Sequence, residues 1–199
     1  MKKNKGLIIT IVVIVLVALW GISSYNGLVG MDENVSNKWA NVETQYQRRS
    51  DLIPNPVNTV KGYAKHESQT LEAVMAARSQ ATQVKIDASN CTPQQLAAYQ
   101  KAQGDVTTAL GKLLAITENY PDLKANQNFM QLQGELADIE NKLAAVRRYF
   151  NSATRELNNA VETFPGNIFA GMFGFHKEAM YEIEASQRAA VEKAPEIKF

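Results

Sequence analysis

The feature that most constrains this chain is an almost unbroken apolar run from Leu7 to Ile22. The run has no polar face, so it predicts a membrane-inserted helix rather than one side of a soluble amphipathic helix. With its small flanking residues it reaches about 19 residues, or about 28 Å of helix, which is enough to span a hydrocarbon core. Trp20 and Tyr25 lie at its end, where an interfacial aromatic belt is expected.

A cleaved signal peptide is the alternative, because it shares the basic start and the apolar middle. Its only cleavage-like sequence, Gly21-Ile22-Ser23, is a poor match, so we expect an uncleaved, single-pass anchor in the inner (cell) membrane. Three lysines precede the run, whereas the residues from Ser23 to Glu43 carry three acidic side chains and one lysine. The positive-inside rule therefore predicts a cytoplasmic N-terminus and an extracytoplasmic bundle.

The composition beyond the anchor favours helices. Six prolines and eleven glycines interrupt a chain that is rich in Ala, Gln, Glu, Lys and Leu. A formal net charge of +1 argues against a nucleic-acid partner. The single cysteine, Cys91, excludes an internal disulfide.

Apolar residues at spacings of three and four predict four long helices packed as an antiparallel bundle. The boundaries follow from prolines and capping residues. The first helix ends at Pro54 and Pro56, and the second carries apolar residues from Val57 to Ala81 and fades near Asp87 to Asn90. The third starts at Thr92-Pro93-Gln94-Gln95 and stops before Asn119, and the fourth runs from Gln127 to Thr163. We expect an all-α fold with the anchor in residues 1–25, the bundle in 26–165 and an amphipathic C-terminal segment in 166–199.

The fourth helix carries the strongest pattern, an apolar seam with a period near 3.5 that is typical of a coiled coil. At about 37 residues it measures about 55 Å. That is longer than a compact bundle of this size needs, so the pattern predicts that part of the seam packs against another subunit.

The C-terminal segment concentrates five large apolar side chains in the eight residues 168–175, with Gly171 and Gly174 among them. Together with Trp20 and Tyr25, the candidate membrane or partner contacts are Ile168, Phe169, Met172, Phe173 and Phe175. A second short amphipathic piece contains Met180 and Ile183. Three interpretations are open: the segment folds back on the bundle, lies on the bilayer surface, or contacts a neighbouring subunit.

No catalytic or ligand-binding motif is present in the sequence. His66 and His176 are isolated, and neither has a second ligand at a metal-binding spacing. Cys91 has no neighbouring histidine that would activate it. We therefore expect no enzymatic activity, no cofactor and no metal.

Several polar residues lie on or beside the apolar faces: Arg49, Glu67, Arg78, Glu140, Arg147, Asn151 and Asn158. A buried charge needs a partner, so the simplest interpretation is a structural network of ion pairs and amide hydrogen bonds that fixes helix register. A binding or catalytic site is the alternative. The sequence does not tell which residues pair.

Several stretches resemble the LemA family of bacterial membrane proteins, in order along the whole chain: Tyr25 to Val29, Arg48 to Asn55, Gly62 to Glu67, Glu118 to Ala125, Leu132-Gln133, Arg147 with Phe150-Asn151, and Phe164 to Asn167. The resemblance implies one N-terminal membrane helix and a long helical bundle. It implies no activity, although some members are associated with membrane-bound compartments or membrane shaping. Two departures are Pro56, which is expected to delay the second helix, and Phe150, where the family often has tyrosine.

These observations lead to a functional prediction: a membrane-anchored, non-enzymatic helical scaffold that self-associates and organises the membrane or partner proteins. An accessory subunit or adaptor of a membrane protease or transporter is the alternative. The expected partners are the lipid bilayer, further copies of the chain and another membrane protein. Because the bundle pattern resumes soon after Ile22, the membrane helix is also expected to continue into the first bundle helix as a rigid stalk.

Overall fold

A computed structural model describes residues 2–64, 66–87 and 91–182, with side chains from Lys5 onward. Across these ranges the fold is all-α, with helices packed antiparallel and no strand, which confirms the predicted class. The helices are α1 (Lys2–Leu52), α2 (Pro54–Tyr63), α3 (Ser68–Gln83), α4 (Pro93–Thr117), α5 (Pro121–Lys124), α6 (Gln127–Glu162) and α7 (Gly166–Phe173).

Helix α1 is one continuous helix of 51 residues, or about 77 Å. Its apolar N-terminal part is exposed and is the one segment of the described chain that is long and apolar enough to cross a membrane. From Leu28 onward one face of the same helix enters the bundle core. The membrane helix and the first bundle helix are therefore a single rod.

The turn after α1 depends on its two prolines. Helix α1 ends at Leu52, and Pro54 begins α2 after only one intervening residue, Ile53. Pro56 lies in the first turn of α2, where backbone N–H groups have no helical partner and proline is tolerated. The expected delay of the second helix by Pro56 was therefore wrong.

The second predicted helix is two helices, α2 and α3, that share one buried face. Gly62, a poor helix former, lies in the last turn of α2, and Ala64 leaves the helical conformation with φ −120° and ψ 66°. The N–H of Ala64 closes the turn on the carbonyl of Val60 at 2.8 Å. The apolar rhythm continued across the break because both helices face the same core.

The start of α4 is confirmed in detail. Thr92 accepts a hydrogen bond from the N–H of Gln95 at 3.2 Å, and the Gln95 side chain accepts one from the N–H of Thr92 at 2.9 Å. Helix α4 then ends at Thr117, before Asn119 as predicted.

The core divides into two apolar clusters along the bundle. The cluster far from the membrane run contains residues of α2, α3, α4, α5 and the first half of α6. The second cluster, nearer the run, is built by α1, α4 and α6 around Trp39, with Tyr99 and Phe150 at 5.4 and 5.3 Å between ring centroids. Phe150 occupies a buried position in this aromatic group.

The seam of α6 is buried at every seventh residue. Phe129, Leu136, Leu143, Phe150 and Leu157 pack against the chain's own helices. The seam residues between them, Leu132, Ile139, Val146 and Ala160, are half-buried. The expectation that part of this seam packs against another subunit therefore stays a prediction.

Beyond α6 the chain turns back along the bundle. The Phe164–Pro165 peptide bond is cis, and a Cβ on Gly166 would lie 2.3 Å from the carbonyl oxygen of Ala160, so only glycine fits there. Helix α7 ends at Gly174, whose φ is +79°. Residues 175–182, named the strap here, lie outside any helix. Met180 is thus non-helical, and residues 183–199, including Ile183, lie outside the described residues.

Candidate functional site

The most buried charge in the bundle is Arg49 of α1, with 1% of its surface exposed. It lies between the two apolar clusters and faces α4 and α6. Its guanidinium donates four hydrogen bonds: to Glu140 Oε1 at 2.8 Å, Thr107 Oγ1 at 2.9 Å, and the side-chain and backbone oxygens of Gln103 at 2.7 and 3.0 Å. A charge that is removed from water is therefore compensated by one carboxylate and three neutral acceptors.

Gln103 and Thr107 were absent from the predicted network, although the sequence carries a signal for Gln103. The buried face of α4 passes through Tyr99 and Val106, seven residues apart, and Gln103 occupies the helical position between them. A polar residue on an otherwise apolar face indicates a buried polar partner. Thr107 lies one turn further on.

A second arginine, Arg147, stacks on aromatic rings beside this centre. The carbon at the centre of its guanidinium lies 5.5 Å from the ring centroid of Tyr46 and 6.0 Å from that of Tyr181 in the strap. Arg49 approaches the same Tyr46 ring at 5.0 Å. Burial raises the pKa of Tyr46, of Tyr99 and of Tyr181 above the usual value, so these phenols are neutral at physiological pH.

An open groove of about 520 Å³ lies against Arg147, between α4, α6 and the strap. It is lined mainly by polar side chains, among them Gln100, Thr108, Glu140, Arg147 and Arg148. Glu140 is held by Arg49 and is not positioned as a free general base. No set of His, Cys, Asp and Glu in the described ranges is arranged to hold a metal ion.

The remaining charges of the predicted network lie elsewhere. Arg78 of α3 donates from Nε to the backbone carbonyl of Ser50 at 2.7 Å and so ties α3 to the end of α1. Glu67 lies at the far end of the bundle, where it accepts a hydrogen bond from the hydroxyl of Tyr120 at 3.2 Å. The seven residues therefore belong to separate contacts, of which only Arg49 and Glu140 pair directly.

Asn151 and Asn158 of α6 hold the strap by its backbone. Asn158 accepts from the N–H of Glu178 at 2.8 Å and donates to its carbonyl at 2.9 Å. Asn151 makes the same pair of bonds with Tyr181, at 2.8 and 3.0 Å. Asn151 and Asn158 are seven residues apart on α6, a rise of about 10.5 Å. Their partners Glu178 and Tyr181 are three residues apart, and three extended residues span about 10 Å, so this stretch of the strap is nearly fully extended.

The aromatic residues predicted to contact membrane or partner form one cluster. Phe169 of α7 packs on Trp20 with ring centroids 4.8 Å apart, and Tyr25 packs on Phe173 at 4.8 Å and on Phe175 at 6.0 Å. A Cβ on Gly21 would lie 3.2 Å from the Phe169 ring, so the contact is close. Helix α7 thus lies against the end of the apolar run.

The other side of α7 is unpartnered in the described chain. Ile168 and Met172, one helical turn apart on α7, are 50% and 69% exposed, and Phe164, in the turn that precedes α7, is 80% exposed. We name these three residues the α7 stripe. Phe164 was missing from the sequence prediction because it was assigned to the end of the α6 seam.

The fold and these contacts define a class: a helical-bundle protein with one N-terminal apolar helix suited to membrane anchoring. The sequence model of the LemA family matches residues 38–199, most of the bundle and the whole C-terminal segment. The chain therefore belongs to the LemA family, which confirms the resemblance seen in the sequence.

Three curated relatives are similar over most of the chain. Magnetosome protein MamQ of Magnetospirillum gryphiswaldense is 27% identical over 77% of this chain and 62% of its own length. Magnetosome protein MamQ 1 of Paramagnetospirillum magneticum is 25% identical over 79% of this chain and 64% of its own length. Protein LemA of Metamycoplasma hominis is 23% identical over 84% of this chain and 73% of its own length. The chain spans less than two thirds of the length of the magnetosome relatives.

Proposed function

We propose that the chain is a membrane-anchored, non-enzymatic helical scaffold that contacts the bilayer twice and self-associates at the membrane. The observation that carries this proposal is the α7 stripe. It exposes three large apolar side chains beside Trp20 and Tyr25, at the level where the membrane run ends. Exposed apolar surface that continues a membrane segment fits the interfacial region of a bilayer.

The second contact acts on orientation rather than on attachment. Burial of a large apolar side chain contributes about 1.5–3 kcal/mol, so three half-buried ones contribute on the order of 3 kcal/mol. The membrane helix alone already anchors the chain essentially irreversibly. The additional free energy therefore acts on the tilt and rotation of α1. It increases the population of orientations in which α7 touches the bilayer about a hundredfold.

The names of the curated relatives favour a membrane-organising role. Two of the three relatives described above carry the name magnetosome protein, and this chain shares with each of them about a quarter of its residues over the aligned stretch. Anchoring and organising a membrane structure is a role that needs no catalytic site.

A fluorescence experiment tests the second bilayer contact. In a Cys91→Ser background, Met172→Cys carries an environment-sensitive dye, and the full chain is reconstituted into vesicles that contain nitroxide lipids. We expect a blue-shifted emission that the nitroxide quenches. The matched control is Met130→Cys, a methionine that is 49% exposed on α6 far from the run. If the label at 172 behaves like the label at 130, α7 does not touch the bilayer and the proposal fails.

Self-association is tested separately. We propose that other copies pack against the membrane run and α7, which expose large apolar side chains. Light scattering of the detergent-solubilised protein at micromolar concentration should give a mass above that of a single chain. Monomers alone would remove this part of the proposal. Clustering or tubulation of liposomes that is lost on deletion of residues 168–175 would support membrane organisation.

The orientation is part of the proposal and rests on charge. Lysines precede the run, and Asp32 and Glu33 follow it, which favours a cytoplasmic N-terminus and an extracytoplasmic bundle. An impermeant thiol reagent applied to whole cells should label Met130→Cys, an exposed position on α6 far from the bilayer, in the Cys91→Ser background. Labelling only after lysis would place the bundle on the cytoplasmic side.

The groove beside Arg147 favours a second candidate function, that of an adaptor of another membrane protein. Its two arginines and its amide and hydroxyl groups suit a polar partner segment. An adaptor predicts that crosslinking in cells recovers a stoichiometric complex with an unrelated membrane protein. Such a complex should be lost in an Arg147→Glu/Arg148→Glu variant and retained in the Met130→Asn control.

A further inference from the structure

The strap carries a buried carboxyl group at one of its two docking points. Glu178, whose backbone bonds to Asn158, is 6% exposed. The contact that could balance its charge is His176, whose Nε2 lies 3.5 Å from Glu178 Oε1 and whose ring is largely exposed. At 3.5 Å and with its ring open to solvent, this partner balances the charge of Glu178 only weakly.

In the described part of the chain, the groups of other elements that interact electrostatically with Glu178 are two aspartates and a cysteine. Asp32 comes from α1, and Asp87 and Cys91 come from the connection between α3 and α4. Both aspartates disfavour a charge on Glu178, and only His176 favours it. An ionised Glu178 is therefore less stable with the strap docked than with the strap released into water.

We propose that the strap is a proton-sensitive clasp, in which protonation of Glu178 fastens residues 175–182 to α6 and ionisation of Glu178 loosens them. The backbone bonds to Asn151 and Asn158 do not titrate, so they set the docked geometry. The Glu178 carboxyl sets how firmly that geometry is held. Gly174, with its φ of +79°, lies at the start of the strap and provides the pivot.

The direction of the effect follows from linkage. Desolvation is the main cause that raises the pKa of Glu178, and Asp32 and Asp87 add to it. A carboxyl whose pKa is higher in the docked state contributes stability below its undocked pKa, and this contribution is lost as pH rises through the docked pKa. The strap is thus fastened under acidic conditions and loosened toward neutral and higher pH.

A loosened strap also weakens the hold on α7. Phe175 would leave Tyr25, which removes one of the contacts that seat α7 against α1. This consequence rests on the proposed bilayer contact of α7, whereas the clasp itself does not.

Hydrogen exchange of the full chain in lipid nanodiscs tests the clasp. The amides of Glu178 and Tyr181 donate to α6, so the peptide that contains them reports docking. After correction for the intrinsic exchange rate, we expect protection of this peptide to fall by at least about threefold as the pH rises from about 5 to about 8. A flat profile would overturn the proposal.

Three variants locate the effect. Glu178→Gln should give a flat profile with protection at least equal to that of the wild type at low pH. Glu162→Gln, an exposed carboxylate paired with Lys177, is the matched control and should keep the wild-type slope. If Glu178→Gln fails to fold, Asp32→Asn should reduce the slope by removing one repulsion. A Glu178→Gln profile as steep as the wild type would refute the role of this residue. The vesicle experiment with the label at 172 fails or succeeds independently, because exchange of the strap does not require that α7 touch lipid.

Discussion

Replacing either partner of the Arg49–Glu140 pair with methionine should have unequal consequences. Arg49 is 1% exposed, whereas a third of the Glu140 side chain is exposed. Glu140→Met leaves a guanidinium buried without a carboxylate, whereas Arg49→Met leaves a carboxylate that can turn toward water. Glu140→Met should therefore destabilise the fold more than Arg49→Met.

The structure sets the magnitudes. Breaking a buried ion pair costs about 3–5 kcal/mol, and three neutral acceptors remain around Arg49, so we expect about 2–3 kcal/mol for Glu140→Met. Arg49→Met conserves much of the side-chain volume and mainly leaves Gln103 Oε1 without its donor, which costs about 1–2 kcal/mol. The double variant should cost no more than Arg49→Met alone, because it no longer contains the buried guanidinium that lacks a carboxylate partner in Glu140→Met.

Chemical unfolding in mild detergent measures these differences. Circular dichroism of the helices and fluorescence of Trp39 should give coincident transitions, which is the condition for converting midpoints into free energies. The double-mutant cycle should show a coupling of about 2 kcal/mol or more. Additive effects of the two single variants, or a Glu140→Met variant as stable as the wild type, would refute the reasoning.

Four further predictions follow from local geometry. Gly166→Ala should lower the free energy of unfolding by about 2 kcal/mol or more, because the new Cβ meets the backbone of Ala160. Gly27→Ala, which meets nothing within 4 Å in α1, should be neutral or stabilising by up to about 1 kcal/mol. Thr92→Ala removes the capping box of α4 and should cost about 1 kcal/mol in the same unfolding assay. Finally, the raised pKa of the buried tyrosines, Tyr99 among them, means that stability present below about pH 10 is lost above it. Absorbance should then show these phenols ionising together with unfolding, and independent early ionisation would contradict the assigned burial.

Local rules accounted for much of the fold. The apolar run, the capping box at Thr92 and the rhythm of α6 depend on residues close together in the chain, and each appears where the sequence predicted it. The break between α2 and α3 was missed because both helices bury the same face, so periodicity does not register the change of direction at Ala64.

The candidate site was less accessible because its contacts join distant parts of the chain. Asn151 and Asn158 were recognised as polar residues beside the seam, but their partners are backbone groups of the strap, and a backbone group leaves no signature in a sequence. Arg49 and Glu140 were both identified, yet 91 residues separate them, and only the packing of α1 on α6 brings them together.

The unbroken α1 has a mechanical consequence. From Tyr25 to Leu52 the helix extends about 41 Å beyond the membrane run, so a change of about 10° in its tilt moves the far end by about 7 Å. Membrane helices adjust their tilt to the thickness of the surrounding bilayer. The chain is thus a lever that converts small differences in bilayer thickness into displacements of the distal end of the bundle that are as large as a side chain.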